Sequence, residues 1–131
     1  MGILSKLFGS RPKLMPTHLN AENFDREVLR SDLPVVVDFW GPGCPPCKQL
    51  ESVMIDLATE YRDRVKVAEL NTHQSMRIAR RYGVMATPTV IYFKDGKIID
   101  RVAGFRGSLY HREVIEEDLL DEADRSADQA M

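Results

Sequence analysis

The sequence predicts a single α/β domain, a central mixed β-sheet with helices on both faces, in the chain order β-α-β-α-β-α-β-β-α. Three observations carry this expectation. Short apolar runs bounded by turn residues alternate with stretches whose apolar residues recur at helical spacing. An Asp95-Gly96 pair between two such runs is a hairpin signal. The 131 residues suit one core, and no linker interrupts them. Strands alternating with helices imply parallel pairing through right-handed crossovers, finished here by an antiparallel hairpin.

Residues 1–16 are expected to be an N-terminal extension. Its apolar residues Ile3, Leu4, Leu7 and Phe8 are broken by Lys6 and followed by Arg11 and Lys13, so no signal-peptide core forms and a cytoplasmic location is expected. Residues 3–8 place an apolar face on a short helix, but a frayed extension is preferred over contact with a membrane surface. The domain proper is expected over residues 17–121. Residues 17–20 form a short edge strand. Asn20 caps a helix carrying Phe24, Val28 and Leu29. Residues 35–39 are apolar on both faces except at Asp38, the pattern of a buried central strand.

After Cys44 the residues Leu50, Val53, Met54, Leu57, Ala58 and Tyr61 form one helical stripe. A strand over 65–70 and a helix over 74–82 follow, the latter ended by Gly83. Strands over 90–94 and 97–102 flank the Asp95-Gly96 turn. Ser108 is expected to cap a last helix through Leu120. Residues 122–131 are a polar tail, expected to be mobile.

Composition narrows the function. The chain is 44% apolar and 29% charged with net charge −2, and it has no clustered basic residues of the kind that bind nucleic acid. Its two cysteines are too few for a disulfide scaffold. They sit in Trp40-Gly41-Pro42-Gly43-Cys44-Pro45-Pro46-Cys47-Lys48, where a buried strand hands over to a helix. A cysteine at a helix start faces unpaired backbone N–H groups and the positive end of the helix dipole, which favour its thiolate. A second cysteine three positions on lies on the same turn, so the pair can close a small disulfide and reopen it. Zinc would want four ligands, and His18, His73 and His111 are scattered without ligand spacing. No metal and no cofactor is therefore expected.

These residues resemble the thioredoxin family over roughly 17–121. The resemblance rests on Asp38-Phe39-Trp40, Cys44-Pro45-Pro46-Cys47-Lys48, Val67-Ala68-Glu69-Leu70-Asn71, Tyr82-Gly83-Val84, Ala86-Thr87-Pro88-Thr89, Phe93-Lys94-Asp95-Gly96 and Gly104, in that order. It implies the thioredoxin fold and disulfide exchange with protein substrates. Cys44 is then the nucleophile that forms a mixed disulfide, and Cys47 resolves it. Pro88 resembles the family's cis-proline, with Thr87 pairing to an extended substrate, where the bare sequence would equally accept a trans proline opening an edge strand. Asp38 matches the proton acceptor for the resolving cysteine, although a solvated strand-end Asp reads the same way locally. Trp40 covers the site or packs in the core. Gly104 leaves room for a substrate backbone.

Several positions depart from the family pattern. Glu69 stands where Lys is common. It either approaches Asp38 and shares a proton with it or turns to solvent at the strand end. Gly43 replaces a Trp and frees the loop. Pro45 replaces a Gly, and with Pro46 removes two N–H donors while stiffening the loop, both of which act toward the disulfide form. Lys48 adds positive charge beside the motif or is simply solvated. Ser52 replaces a helix-kinking Pro, so a straighter helix is expected. The leading expectation is a monomeric protein-disulfide reductase, itself reduced by a thioredoxin-reductase-type electron donor. A disulfide oxidase or isomerase, and a chaperone-like binding module of the same fold, are the alternatives.

Overall fold

A computed structural model describes residues 12–121. Residues 3–8, where a frayed extension is preferred over membrane contact, and the expected mobile tail at 122–131 lie outside the described residues. Five strands form one sheet: β1 (Thr17–Leu19), β2 (Val35–Trp40), β3 (Lys66–Asn71), β4 (Thr89–Lys94) and β5 (Lys97–Ala103), in the spatial order β1-β3-β2-β4-β5. The helical elements are the π-helical turn α1 (Asp25–Leu29), α2 (Pro45–Tyr61), α3 (Met76–Arg81), α4 (Ser108–Val114) and the π-helical continuation α5 (Ile115–Leu119). Among the described residues no helix is long and apolar enough to cross a membrane.

Alternation along β2 explains the layers. Val36 and its same-face neighbours Val67, Val90 and Tyr92 pack under Leu50, Met54 and Leu57 of α2 and Val114, Ile115 and Leu119 of α4 and α5. Val35, Val37 and Phe39 face the other way, against Phe24 and Val28 on the α1 side and Ile78 of α3. Asp38 lies on the α2 face, two residues beyond Val36, which makes it the one carboxyl in an otherwise apolar strand.

The sheet differs from the expected pairing at one place. β1, β3 and β2 are parallel, as a crossover pattern implies, but β4 runs antiparallel to β2. The reason is the length of α3. Six helical residues rise about 9 Å, whereas a six-residue strand spans about 20 Å. So short a helix does not carry the chain back along the sheet, and β4 starts at the edge where β3 ends. The Asp95-Gly96 hairpin joins β4 to β5 as expected, and a Cβ on Gly96 would meet the Leu29 carbonyl oxygen at 2.8 Å.

Neither expected cap sits at its helix start. Asn20 Oδ1 accepts from the backbone N–H groups of Glu22 and Asn23, both at 2.9 Å, and so holds the turn before α1, whose own cap position is Phe24 with no side-chain capping bond. Ser108 makes no capping hydrogen bond; Gly107 occupies the cap position and Ser108 is already the first helical residue. The extension is tethered at its inner end. Leu14 N–H donates to Thr59 Oγ1 at 2.9 Å and Arg62 donates to the Pro12 carbonyl at 2.6 Å, so residues 12–16 lie along α2.

Candidate active site

The C-terminal end of β2 and the start of α2 build the site. β2 carries Asp38 and Trp40, a left-handed Gly43 (φ 68°) turns the chain, and Cys44 takes the N-cap position of α2. Gly43 has open space where a Cβ would sit, so its role is backbone conformation. Pro45 and Pro46 fill the first two helical positions, which have no partner for an N–H in any case. The first amide that faces the cap is Cys47 N–H, and it donates to Cys44 Sγ at 3.3 Å. Cys44 and Cys47 are joined by a disulfide, with Cα atoms 5.2 Å apart. Cys44 is half-buried and Cys47 is buried one turn deeper.

The Thr87–Pro88 peptide bond is cis. Cys44 Sγ lies 3.5 Å from the Thr87 carbonyl oxygen, and Gly104 N–H donates to the Pro88 carbonyl at 2.8 Å. Thr87, Pro88 and Gly104 thus form one connected edge beside Cys44 Sγ. Met85, 97% exposed, precedes that edge by two residues; nothing in its sequence context distinguishes it from a core methionine.

A groove of about 810 Å³ opens on the face of the sheet that α2 covers. It is lined by Asp38, Trp40, Gly43, Cys44, Pro45, Cys47, Lys48 and Glu69 of the expected site, together with Glu51, Ile55, Met15 and Pro16. Thr87, Pro88 and Gly104 lie outside it and join the site through Cys44. Asp38 is 3% exposed, and its Oδ1 has no hydrogen-bond partner. Burial pushes its pKa up from the ordinary carboxylate range to about 7, and the negative charges of Glu69 and Glu51 add to the effect.

Glu69 approaches Asp38, one of the two placements expected for it. It pairs with Asp38 in strand register, but its carboxylate oxygens are taken by others: Oε1 accepts from Trp40 Nε1–H at 2.7 Å and Oε2 binds His18 Nδ1 at 2.8 Å. Its charge still acts on Asp38. His18, Glu51, Met15 and Pro16 are the site residues that sequence reasoning missed. His18 was legible in principle, since alternation over 17–19 puts it on the face opposite to Leu19. Met15 and Pro16 carried no signal. Lys48 is exposed at the groove edge. Pro46 packs in the first turn outside the groove, and α2 runs unbroken through Ser52. Among the described residues no group of three or more His, Cys, Asp or Glu side chains is placed to hold a metal ion.

Comparison with known proteins places this arrangement. Residues 15–117 match the family model described as Thioredoxin. The chain is 44% identical over 81 residues to Thioredoxin 1 of Synechococcus elongatus, covering 62% of this chain and 76% of that protein. It is 44% identical over 82 residues to Thioredoxin of Griffithsia pacifica, covering 63% and 75%. It is 41% identical over 86 residues to Thioredoxin M-type, chloroplastic, of Chlamydomonas reinhardtii, covering 66% and 61%.

Proposed function

The chain belongs to the thioredoxin family and is a thiol–disulfide oxidoreductase that reduces protein disulfides, and we propose the following division of labour among its residues. Reduced Cys44, as thiolate, attacks one sulfur of a substrate disulfide. A Cys44–substrate disulfide forms and the first substrate thiolate leaves. Cys47 then gives its proton to Asp38 and attacks Cys44 Sγ. The Cys44–Cys47 bond forms, the second substrate thiolate leaves, and both substrate thiolates take up protons. A reductase partner returns two electrons to the disulfide.

The observation that carries this reading is the position of Cys44. Its sulfur sits at a helix N-cap, accepts the Cys47 amide, bonds Cys47 and touches the Thr87 carbonyl. A thiolate is stabilised there by the same amide and by the helix dipole. Thr87, Pro88 and Gly104 would align an extended substrate strand beside it, and Trp40 would shield the groove. Asp38 suits the proton-accepting role because it lines the groove with Cys47 and its Oδ1 lacks a partner. Gly43, Pro45, Pro46 and Lys48 shape the loop and its charge. The setting proposed is a monomer in the cytoplasm, a compartment that keeps thiols reduced.

The test uses two variants and insulin as substrate. Cys44→Ser is expected to abolish reduction and to trap nothing. Cys47→Ser is expected to accumulate a mixed disulfide on Cys44 that mass spectrometry detects. Full reduction by Cys44→Ser would end the proposal, and substrate capture that survives loss of both thiols would favour the binding module.

A further inference from the structure

Three strands carry three titratable side chains side by side. In the parallel registers of β1, β3 and β2, His18 stands opposite Glu69, and Glu69 stands opposite Asp38. Partners in register point to the same face of a sheet. That face is the one α2 covers, and Trp40 lies on it two residues past Asp38. Glu69 is the centre of this row, and each of its oxygens is committed: Oε1 to the Trp40 indole at 2.7 Å, Oε2 to His18 at 2.8 Å. The side chain of His18 is 56% exposed and that of Glu69 is 24% exposed, so the outer member meets solvent and the middle one is sheltered.

We propose that Glu69 and His18 are positioning residues of the exchange reaction: Glu69 fixes the Trp40 indole at the groove, and the charge on His18 sets how much negative charge Glu69 presents to Asp38. This rests on the proton-accepting role given to Asp38 above. The reasoning starts from donor inventories. An indole N–H only donates, so it needs an acceptor at Oε1. An imidazole can donate from Nδ1 in both its neutral and its protonated form. The two hydrogen bonds therefore persist while the charge changes. With imidazolium on one side, the His18–Glu69 pair is neutral as Asp38 senses it. With neutral imidazole, Glu69 acts on Asp38 with its whole charge, and that charge already helps hold the Asp38 proton.

The other charged groups that face Asp38 come from α2, where Lys48 and Glu51 line the same groove with opposite signs; Met15 and Pro16, from the extension, carry none. A positive charge at His18 offsets the Glu69 charge at Asp38, and a neutral side chain there leaves the whole of it to act.

The test follows the Asp38 carboxyl carbon and the Trp40 indole N–H by NMR from pH 4 to 9, in the reduced full chain. Trp40 is the only tryptophan, so its indole signal is unambiguous. Glu69→Gln removes the charge but keeps an acceptor. It is expected to weaken the Asp38 proton affinity about tenfold and to leave the indole bonded. Glu69→Ala removes both, so the indole resonance is expected to shift to that of a solvated ring and KM for insulin to rise several-fold, beyond any change in kcat. His18→Asn is expected to raise the Asp38 midpoint and to leave the indole bonded to Glu69. Identical Asp38 midpoints and indole shifts in all three variants would overturn the inference. If that happens while Cys44→Ser still abolishes insulin reduction, the reaction scheme stands and only the positioning role falls. If Cys44→Ser reduces insulin normally, the scheme itself falls.

Discussion

Asp38 and His111 are both buried ionisable groups on the same face of one sheet, and they are treated in opposite ways. Asp38 is 3% exposed, lines an open groove, leaves Oδ1 without a partner and faces two further carboxylates. His111, on α4, is fully buried, and its Nδ1 meets the Tyr92 hydroxyl of β4 at 2.5 Å. Its Nε2 makes no well-formed hydrogen bond, with only the Arg106 backbone drawing on it. Burial neutralises both groups. It lifts Asp38 to about 7 and lowers His111 to about 4. The difference is access. Asp38 lines an open groove together with Cys47, where the proposed mechanism has it take a proton. His111 is sealed between β4 and α4, where its neutral ring serves packing. A shifted titration alone does not mark a catalytic group; the shift joined to an open lining and an unmet hydrogen bond does.

The largest effect that would break this comparison comes from Asp38→Asn. The native carboxyl holds its proton more tightly than an unfolded one, so its contribution to stability is whole below about pH 4 and is lost as pH rises through about 7. An amide has no such loss. At pH 8 the variant is expected to be more stable than the parent by up to about 4 kcal/mol, and at pH 3.5 the two should match. Urea unfolding at both pH values measures this. Equal stability at pH 8 would mean that Asp38 ionises in the folded chain without penalty, and its distinction from a surface acid would vanish. The same variant is expected to slow the resolving step, seen as longer-lived mixed disulfide.

Much of the Asp38 side of the molecule was legible because its signals are local. The apolar run broken by one carboxylate, the cysteine spacing and the proline before β4 lie within short stretches. The Asp95-Gly96 turn was legible for the same reason. The His111 side was not. One histidine among three carries no mark of burial, and its partner Tyr92 comes from a different strand, 19 residues away. The same distance problem hid the bond from Glu69 to His18, 51 residues apart, and the groove wall formed by Met15 and Pro16. The antiparallel β4 was not legible for a different reason: alternating element types imply crossovers, and the helical pattern over 74–82 does not show that α3 is only the six residues Met76–Arg81. Ser108 failed as a cap because Gly107, with extended backbone (ψ 174°), sits before the first helical turn.

Removing one of the two pH slopes exposes the other. Asp38 and His111 tilt stability with pH in opposite directions, so each masks the other in the parent protein. In the Asp38→Asn background the His111 tilt is no longer opposed by that of Asp38. The folded ring resists protonation while the unfolded one accepts it near its ordinary value, so stability is expected to be whole above about pH 6.5 and to fall as pH drops toward about 4. The loss should approach about 3 kcal/mol. Urea midpoints at half-unit pH steps report it. A flat profile over that range would show His111 to be as free to protonate as an exposed histidine.

The smallest of the three effects separates partnership from burial. Tyr92→Phe keeps the ring that packs beneath α4 and α5 and deletes only the hydroxyl that meets His111 Nδ1. Removing one partner of a buried hydrogen bond leaves the other unmet, at about 2 kcal/mol. That cost is expected at pH 8, where the imidazole is neutral in the folded and unfolded chain alike and no proton enters the balance. Asp38, whose shift comes from burial and from Glu69 and Glu51, should keep its midpoint in this variant. Movement of that midpoint would couple the two buried groups through the sheet, and the division between a working carboxyl and a packed imidazole would no longer hold.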